Sequence, residues 1–328
     1  MAPSRYIVIM AGGRGERFWP QSRQKKPKQL LPIVGEESLL AQTIHRVGGI
    51  VPLENIFVIT NADYAQAVSE ICDMLPAENV VAEPVGRDTA AAVGLSGLLV
   101  SLRDPGASLA VLPSDHVIHD TAAFRKVVES AFEVAESGDH LVTIGIAPEF
   151  PATGYGYINR GAQCMQIGCL PVYEVKRFVE KPNLETAKHY VASGEFFWNA
   201  GMFIWSVKSL DCAMRALAPD IVAIFDGIAA EVRKGVALRD VLAERYPSIR
   251  KISIDYAVME KAKNVVTIPG IFDWDDVGAW PSLVRHLPAD SHGNVLRGSA
   301  VVLDGSGNII ISSGDHLVSV MGLSNCIV

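Results

Sequence analysis

A doubly wound, mostly parallel α/β sheet, Rossmann-like in plan, is the fold this sequence predicts. Three observations predict it. Short β-branched runs alternate with stretches of helical spacing, the first apolar run empties into a glycine-rich turn, and 328 residues at 49% hydrophobic and 20% charged can bury one large core. Strand and helix in alternation place parallel strands side by side with helices over both faces.

In chain order, residues 5–10, 56–60, 79–82, 108–112 and 141–146 read as strands, with helices over 38–49, 63–75, 88–103 and 122–137 between them. Asp88-Thr89 and Asp120-Thr121 offer N-caps for the last two helices. From Thr153 the pattern changes, and residues 155–158 and 172–175 read as strands of an antiparallel lid or extension. Helical spacing returns over 184–193, 207–217, 221–234 and 237–245, before a strand at 264–268. Residues 1–285 therefore read as one catalytic unit. The remainder, 286–328, reads as a short β-rich, β-helix-like tail, because Gly293-Asn294 and Gly307-Asn308 form a loose repeat between β-branched runs. Two such rungs have little stability alone, which suggests packing on the main unit or a dimer surface. The sequence ends at residues 324–328 without a polar cap, as an exposed edge or an abbreviated domain would.

A formal net charge of −7 gives no diffuse attraction for nucleic acid or anionic membrane, so the cations must act locally. No apolar run approaches the roughly 20 residues of a membrane span. Residues 1–5 also lack the apolar core of a secretory signal, and a cytoplasmic protein is expected. Cys72, Cys164, Cys169, Cys212 and Cys326 contain no Cys-x-x-Cys pair, which predicts neither a disulfide framework nor a zinc site. Most are expected to be buried small hydrophobes.

The richest segment follows the first strand: Met10-Ala11-Gly12-Gly13-Arg14-Gly15-Glu16-Arg17-Phe18-Trp19-Pro20, then Pro27-Lys28-Gln29. Glycines let backbone N–H groups approach an anion, and Arg14, Arg17 and Lys28 supply positive charge, which is how a phosphate site is built. A Walker A loop would need Gly-Lys-Ser/Thr, and a dinucleotide fingerprint would need glycine where Phe18 stands. Ligands of a parallel sheet sit at the carboxyl ends of its strands, where this loop falls.

Other strand ends carry further chemistry. Asp115, in Pro113-Ser114-Asp115-His116, is a candidate ligand for a hard divalent cation such as Mg²⁺. In Phe272-Asp273-Trp274-Asp275-Asp276-Val277-Gly278, Asp276 is the preferred second ligand, with Asp273 and Asp275 as competing choices. Glu180 and Lys181 end an apolar run as an acid and a base side by side, suited to a sugar hydroxyl and its phosphate. Asn199 is the one amide inside an aromatic run. Glu83-Pro84-Val85-Gly86-Arg87-Asp88-Thr89-Ala90 joins a strand to a small-residue helix with room for a flat base. Glu83 or Asp88 could accept from the N1–H and exocyclic amine of guanine, although Asp88 also suits a helix cap. The histidines show no ligand spacing and are assigned no catalytic role.

Taken together these segments resemble the sugar nucleotidyltransferases, which make nucleotide-diphospho-sugars from a sugar 1-phosphate and a nucleoside triphosphate. The resemblance covers nearly the whole chain and lies nearest to the bacterial branch that joins GTP to mannose 1-phosphate. Its fold implication is a nucleotide-diphospho-sugar transferase type of sheet. It implies that Arg17 and Lys28 hold the triphosphate, with Lys181 completing the catalytic cations, and that Ala11, Gly12, Gly13, Arg14, Gly15, Glu83, Gly86, Asp88 and Thr89 line the nucleotide. It further implies that Gly156, Glu180, Lys181 and Asn199 hold the sugar phosphate, and that Asp115 and Asp276 bind Mg²⁺. Asp88 departs from the asparagine usual in the family, and no fused isomerase domain follows the tail, so one activity is expected. The rival readings are another pairing, such as glucose 1-phosphate with UTP, dTTP or ATP, and a non-catalytic nucleotide-sugar sensor.

Overall fold

Nine strands form one mixed sheet in the computed structural model, which describes residues 3–13, 15–312 and 314–328. The strands are β1 (Arg5–Ala11), β2 (Ile56–Asn61), β3 (Val80–Glu83), β4 (Ser108–Pro113), β5 (Leu141–Ile146), β6 (Tyr157–Ile167), β7 (Leu170–Val179), β8 (Phe196–Ser206) and β9 (Val265–Gly270). Their order across the sheet is β3-β2-β1-β4-β8-β5-β9-β7-β6. β3, β2, β1 and β4 run parallel, as do β5 and β9, whereas β8 runs antiparallel between β4 and β5. The chain steps from β1 outward to β2 and β3 and then returns to β4, so β1 and β4 flank the point where strand order reverses. Backbone at their carboxyl ends is bridged there, with Ser114 N–H donating to Met10 O at 3.2 Å.

The connecting helices are α1 (Leu39–Val47), α2 (Ala65–Ile71), α3 (Thr89–Arg103), α4 (Thr121–Ser137), α5 (Leu184–Ser193), α6 (Val207–Leu217), α7 (Pro219–Arg233) and α8 (Leu238–Arg245). Asp120 caps α4 by accepting from Ala123 N–H at 2.9 Å. The Asp88 side chain accepts from the adjacent Thr89 N–H at 2.8 Å, from a left-handed φ of 68°. The small residues of α3 let other helices come close: a Cβ at Gly94 would stand 2.3 Å from Phe225 of α7, and one at Gly97 would stand 2.7 Å from Leu210 of α6. The main core lies here, with Val8, Leu109, Trp205, Phe225 and Tyr246 all buried. Trp205 satisfies its one polar atom by donating to Val142 O at 3.0 Å.

Of the two readings of the strands after Thr153, the structure takes the extension, because the β6–β7 hairpin pairs antiparallel with β8 and β9 in the same sheet. One sequence expectation changes. Among the cysteines only Cys72 is buried, whereas Cys164, Cys169 and Cys212 are exposed and Cys326 is intermediate. Cys164 lies on β6, Cys169 at the turn of that hairpin and Cys212 on α6, so three of the five sit on outward surfaces.

The chain divides into two compact units. The first holds the residues up to Gly12, Thr43–Ser114 and Ile118–Trp274, and so the whole nine-stranded sheet. The second holds Gly13–Gln42, Asp115–Val117 and Asp275–Val328. Its apolar centre is Phe18, Leu31, Ile33, Val34, Leu39, Val117, Val277 and Leu283. The tail that begins at 286 falls in this second unit, where Arg297 donates to Pro32 O at 2.8 Å and to Ile33 O at 3.0 Å. Strands β10 (Val295–Arg297) and β12 (Ile309–Ile311) pair in parallel, as do β11 (Ala300–Leu303) and β13 (Val318–Met321). Asn294 accepts from Asn308 N–H, and Asn308 accepts from Cys326 N–H, each at 3.0 Å. The Gly-Asn repeat is thus an asparagine ladder that sets the spacing of stacked rungs.

Candidate functional site

In the second unit the loop residue Lys28 is the centre of a charged cluster. Its side chain is only 6% exposed, and its ammonium donates to Asp115 Oδ2 at 2.9 Å and to the backbone carbonyl of Asp276 at 2.5 Å. Gly15 makes this possible: it sits at φ +61°, and a Cβ there would stand 2.3 Å from Lys28 Cβ. Burial alone would raise the Asp115 carboxyl, but the Lys28 ammonium and His116 outweigh it and hold the group below the ordinary carboxylate range. Gln29 reinforces the loop by donating to Gly13 O at 2.9 Å. Arg17 is exposed, yet its guanidinium and the Asp276 carboxylate meet against one glycine, since a Cβ at Gly278 would stand 3.3 Å from Arg17 Nη1 and 2.9 Å from Asp276 Oδ2. Arg14 lies outside the described residues.

The three neighbouring acids have different tasks. Asp275 is buried and accepts from Arg285 at 2.6 Å and 2.9 Å and from Val277 N–H at 2.7 Å, with His286 Nε2 at 2.8 Å. Burial opposes ionisation there, but His286 and Arg285 prevail and hold the carboxyl far below its ordinary value. Asp273, in the first unit, accepts from His119 N–H and Asp120 N–H at the start of α4. Structural work thus occupies Asp275 and Asp273, while Asp276 stands beside Lys28 and Arg17 in the second unit.

In the first unit the residues that the sequence suggested for a base lie at the ends of β1 and β3 and the start of α3. Ala11 is buried, and Glu83 at the end of β3 lies beside Gly12, where a Cβ would stand 3.1 Å from Glu83 Oε2. Burial raises the Glu83 carboxyl to about 7, with a hydrogen bond from Tyr246 acting the other way. Space beside Gly86 is open. Thr89 accepts from Ile254 N–H at 2.9 Å, and Ala90 N–H donates to Ile252 O at 3.2 Å, so the start of α3 is pinned to residues 252–254.

The same unit brings together the acid, base and amide read from the sequence. Glu180 and Lys181 form an ion pair at 3.1 Å, and Asn199 N–H donates to Gly156 O at 2.8 Å. Gly156 is close-packed: a Cβ there would stand 2.7 Å from Glu180 Oε2 and 3.5 Å from Asn199 Cβ. Asp255, which the sequence did not reveal, accepts from Asn199 Nδ2 at 2.8 Å. Burial, and next the charge of Glu180, raise the Asp255 carboxyl to about 6. It begins a π-helical turn, Asp255–Met259, whose irregular spacing leaves no periodic signal. Beside this cluster Tyr155 meets Trp198 and Trp274 edge-on at 5.1 Å and 5.4 Å, forming an aromatic wall.

Left-handed backbone marks these places. Asp88, Lys181 and Val277 have φ of 68°, 43° and 43° without being glycine. Such conformations cost of order 1–3 kcal/mol and concentrate at binding sites.

A nucleotidyl transferase family model matches residues 6–292. The chain belongs to the nucleotidyl transferase family. It is 38% identical over 323 residues to a mannose-1-phosphate guanylyltransferase of Klebsiella pneumoniae, spanning 98% of this chain and 68% of that protein. A mannose-1-phosphate guanylyltransferase of Escherichia coli (strain K12) is 39% identical over 333 residues, spanning 100% of this chain and 69% of that protein. Among solved structures, one described as mannose-1-phosphate geranyltransferase from Thermus thermophilus superposes with a TM-score of 0.84 at 36% identity, covering 98% of this chain and 90% of that one. The nucleotidyltransferase thus groups Lys28 with Asp115 in one unit and Glu180 with Lys181 in the other, with Glu83 at the end of β3 and Asp88 at the start of α3. No described helix is long and apolar enough to cross a membrane.

Proposed function

We propose that this nucleotidyltransferase transfers GMP from GTP to α-D-mannose 1-phosphate, giving GDP-mannose and pyrophosphate. The observation that carries the reading is the buried Lys28 ammonium held between Asp115 and the Asp276 backbone, in a chain 38% and 39% identical to two proteins named mannose-1-phosphate guanylyltransferase. A buried ammonium already held in place suits a polyphosphate chain, because it meets the charge without reorganising.

Asp115 and Asp276 offer hard oxygen donors, which fit Mg²⁺. No group of three or more metal-binding side chains occurs among the described residues. That is compatible, because Mg²⁺ is commonly bound through one or two carboxylates together with substrate phosphates. When bound it would neutralise charge on the phosphates; the rest falls to the chain itself.

A sugar 1-phosphate is largely ionised at neutral pH, as phosphate monoesters titrate near about 6. Its oxygen therefore needs no general base to attack the α-phosphorus of GTP in line. A new bond forms between that oxygen and the α-phosphorus as the bond to the β-phosphate oxygen breaks, and pyrophosphate leaves. Arg17 and Lys28 offset charge on the departing pyrophosphate. Glu180 and Asn199 accept and donate to sugar hydroxyls, Lys181 neutralises the sugar phosphate, and Gly156 lets Glu180 and Asn199 come close enough to act on the same sugar. Glu83, or Asp88, accepts from guanine over Gly86 and Thr89. A homodimer through the tail and a cytoplasmic location complete the proposal. Pyrophosphate release that requires GTP, mannose 1-phosphate and Mg²⁺ together tests it, and release with a different nucleotide or sugar would replace it.

A further inference from the structure

Glu83 is set apart from the other acids by what holds it. It is 5% exposed at the carboxyl end of β3, and Tyr246, fully buried at the end of α8, donates its hydroxyl to Oε1 from 163 positions further along the chain. Oε2 has a different surrounding: it faces the glycine that follows β1, and no described residue donates to it. One oxygen is therefore anchored and the other is presented.

Tyr246 is itself rigidly placed. Its ring lies edge-on to Phe225 at 6.3 Å, and Val241 and Leu242 of α8 are buried in the same core. The next residue, Pro247, accepts through its carbonyl from Arg87 Nη2, which ties this corner to the segment between β3 and α3. Charged and titratable groups facing Glu83 are Tyr246 and, beyond it, Arg87.

We infer that Tyr246 is a positioning residue for base selection, its hydroxyl fixing the Glu83 carboxylate so that Oε2 meets the donor edge of guanine. The inference rests on the GTP reading above. Its chemistry is one of protonation state as well as aim. Guanine presents N1–H and an amine, both donors, and an ionised acceptor holds them more strongly than a neutral one. Protonation of Glu83 turns one of its two oxygens into a donor and weakens it as an acceptor. Burial drives Glu83 toward its neutral form, and among the described residues the Tyr246 hydroxyl is the side chain that opposes this through a hydrogen bond. Gly12 contributes by omission, because any side chain there would crowd Oε2.

The test is kcat/KM for GTP from pH 6 to 9 in the full chain and in Tyr246→Phe, with mannose 1-phosphate saturating. Taking the ratio of the two proteins at each pH cancels titration of the substrates. Losing the hydroxyl should raise the controlling pKa by about one unit, which costs roughly fivefold at pH 7, approaches tenfold at pH 6 and disappears by about pH 9. KM for mannose 1-phosphate should stay unchanged. A merely structural role would lower activity alike at every pH. Glu83→Gln offers a second route should Tyr246→Phe fail to fold: its GTP profile should lose the limb near neutrality. In that background Tyr246→Phe should add no further pH dependence. Superimposable GTP profiles for wild type and folded Tyr246→Phe would overturn the inference while leaving the GTP reading intact. A wild-type preference for another nucleotide would overturn both.

Discussion

Gly15→Ala isolates how the loop delivers its lysine. The new Cβ would stand 2.3 Å from Lys28 Cβ and 2.7 Å from Lys28 N. Carbon atoms prefer about 3.5–4.0 Å, so one strand of the loop must move by about 1 Å or more. That displacement takes the ammonium out of its contacts of 2.9 Å with Asp115 and 2.5 Å with Asp276 O. The left-handed φ of +61° adds about 1–2 kcal/mol for any residue with a Cβ. A misplacement of this size costs on the order of 10²-fold in turnover. The assay is pyrophosphate release at saturating and limiting GTP, together with a thermal melt. Gly168→Ala is the control, because Gly168 has a φ of +55° with nothing within 4 Å of a new Cβ. It should share the backbone cost and keep its activity. A folded Gly15→Ala enzyme that retains more than about a third of wild-type turnover would refute the account, since the expected loss is on the order of 10²-fold.

The remaining predictions follow from individual contacts. Asp115→Asn should keep the fold and lose most turnover, with the remaining activity demanding much higher Mg²⁺; a magnesium titration of the folded variant checks this. Lys181→Ala should raise KM for mannose 1-phosphate with little effect on GTP, and since alanine shares the strained φ of 43°, the change reports the ammonium and not relief of strain. Asp275→Asn should lower stability, because it removes the charge that Arg285 and the buried side chain of His286 meet; denaturant unfolding measures it. The Asp275 carboxyl is depressed in the folded state, so this contribution is complete above the unfolded pKa and is lost as pH falls through the folded one. Asp255 has the opposite sign: it is raised to about 6 by burial and then by Glu180, with Glu260 adding to the effect and the Asn199 hydrogen bond opposing it. Its ionisation therefore costs stability as pH rises through about 6, and Asp255→Asn should remove that pH dependence in denaturant unfolding.

Local signals were legible where one strand or one turn decides the outcome. β1, β2, β3, β4 and β5 lie within a residue of the expected runs because each is a short apolar stretch closed by glycine, proline or a polar residue. The aromatic run around Asn199 concealed β8, since apolar residues occupy both faces over much of the strand and hide its period of two. That omission also hid the antiparallel strand between β4 and β5. The loop chemistry was visible as glycines and cations, but the choice among Asp273, Asp275 and Asp276 was not. It depends on Arg285 and His286 occupying one acid, on helix α4 occupying another, and on a lysine 248 positions away reaching the backbone of the third. Asp255 and Tyr246 had no sequence signal because each acquires its meaning from a partner far along the chain.

Pyrophosphate release across GTP, ATP, UTP and dTTP, each paired with mannose 1-phosphate and glucose 1-phosphate in Mg²⁺, tests the central claim most directly. Release confined to GTP with mannose 1-phosphate is the predicted result. Preferred release with any other pair would contradict the substrate assignment, and silence from a folded sample that binds GTP would contradict catalysis itself.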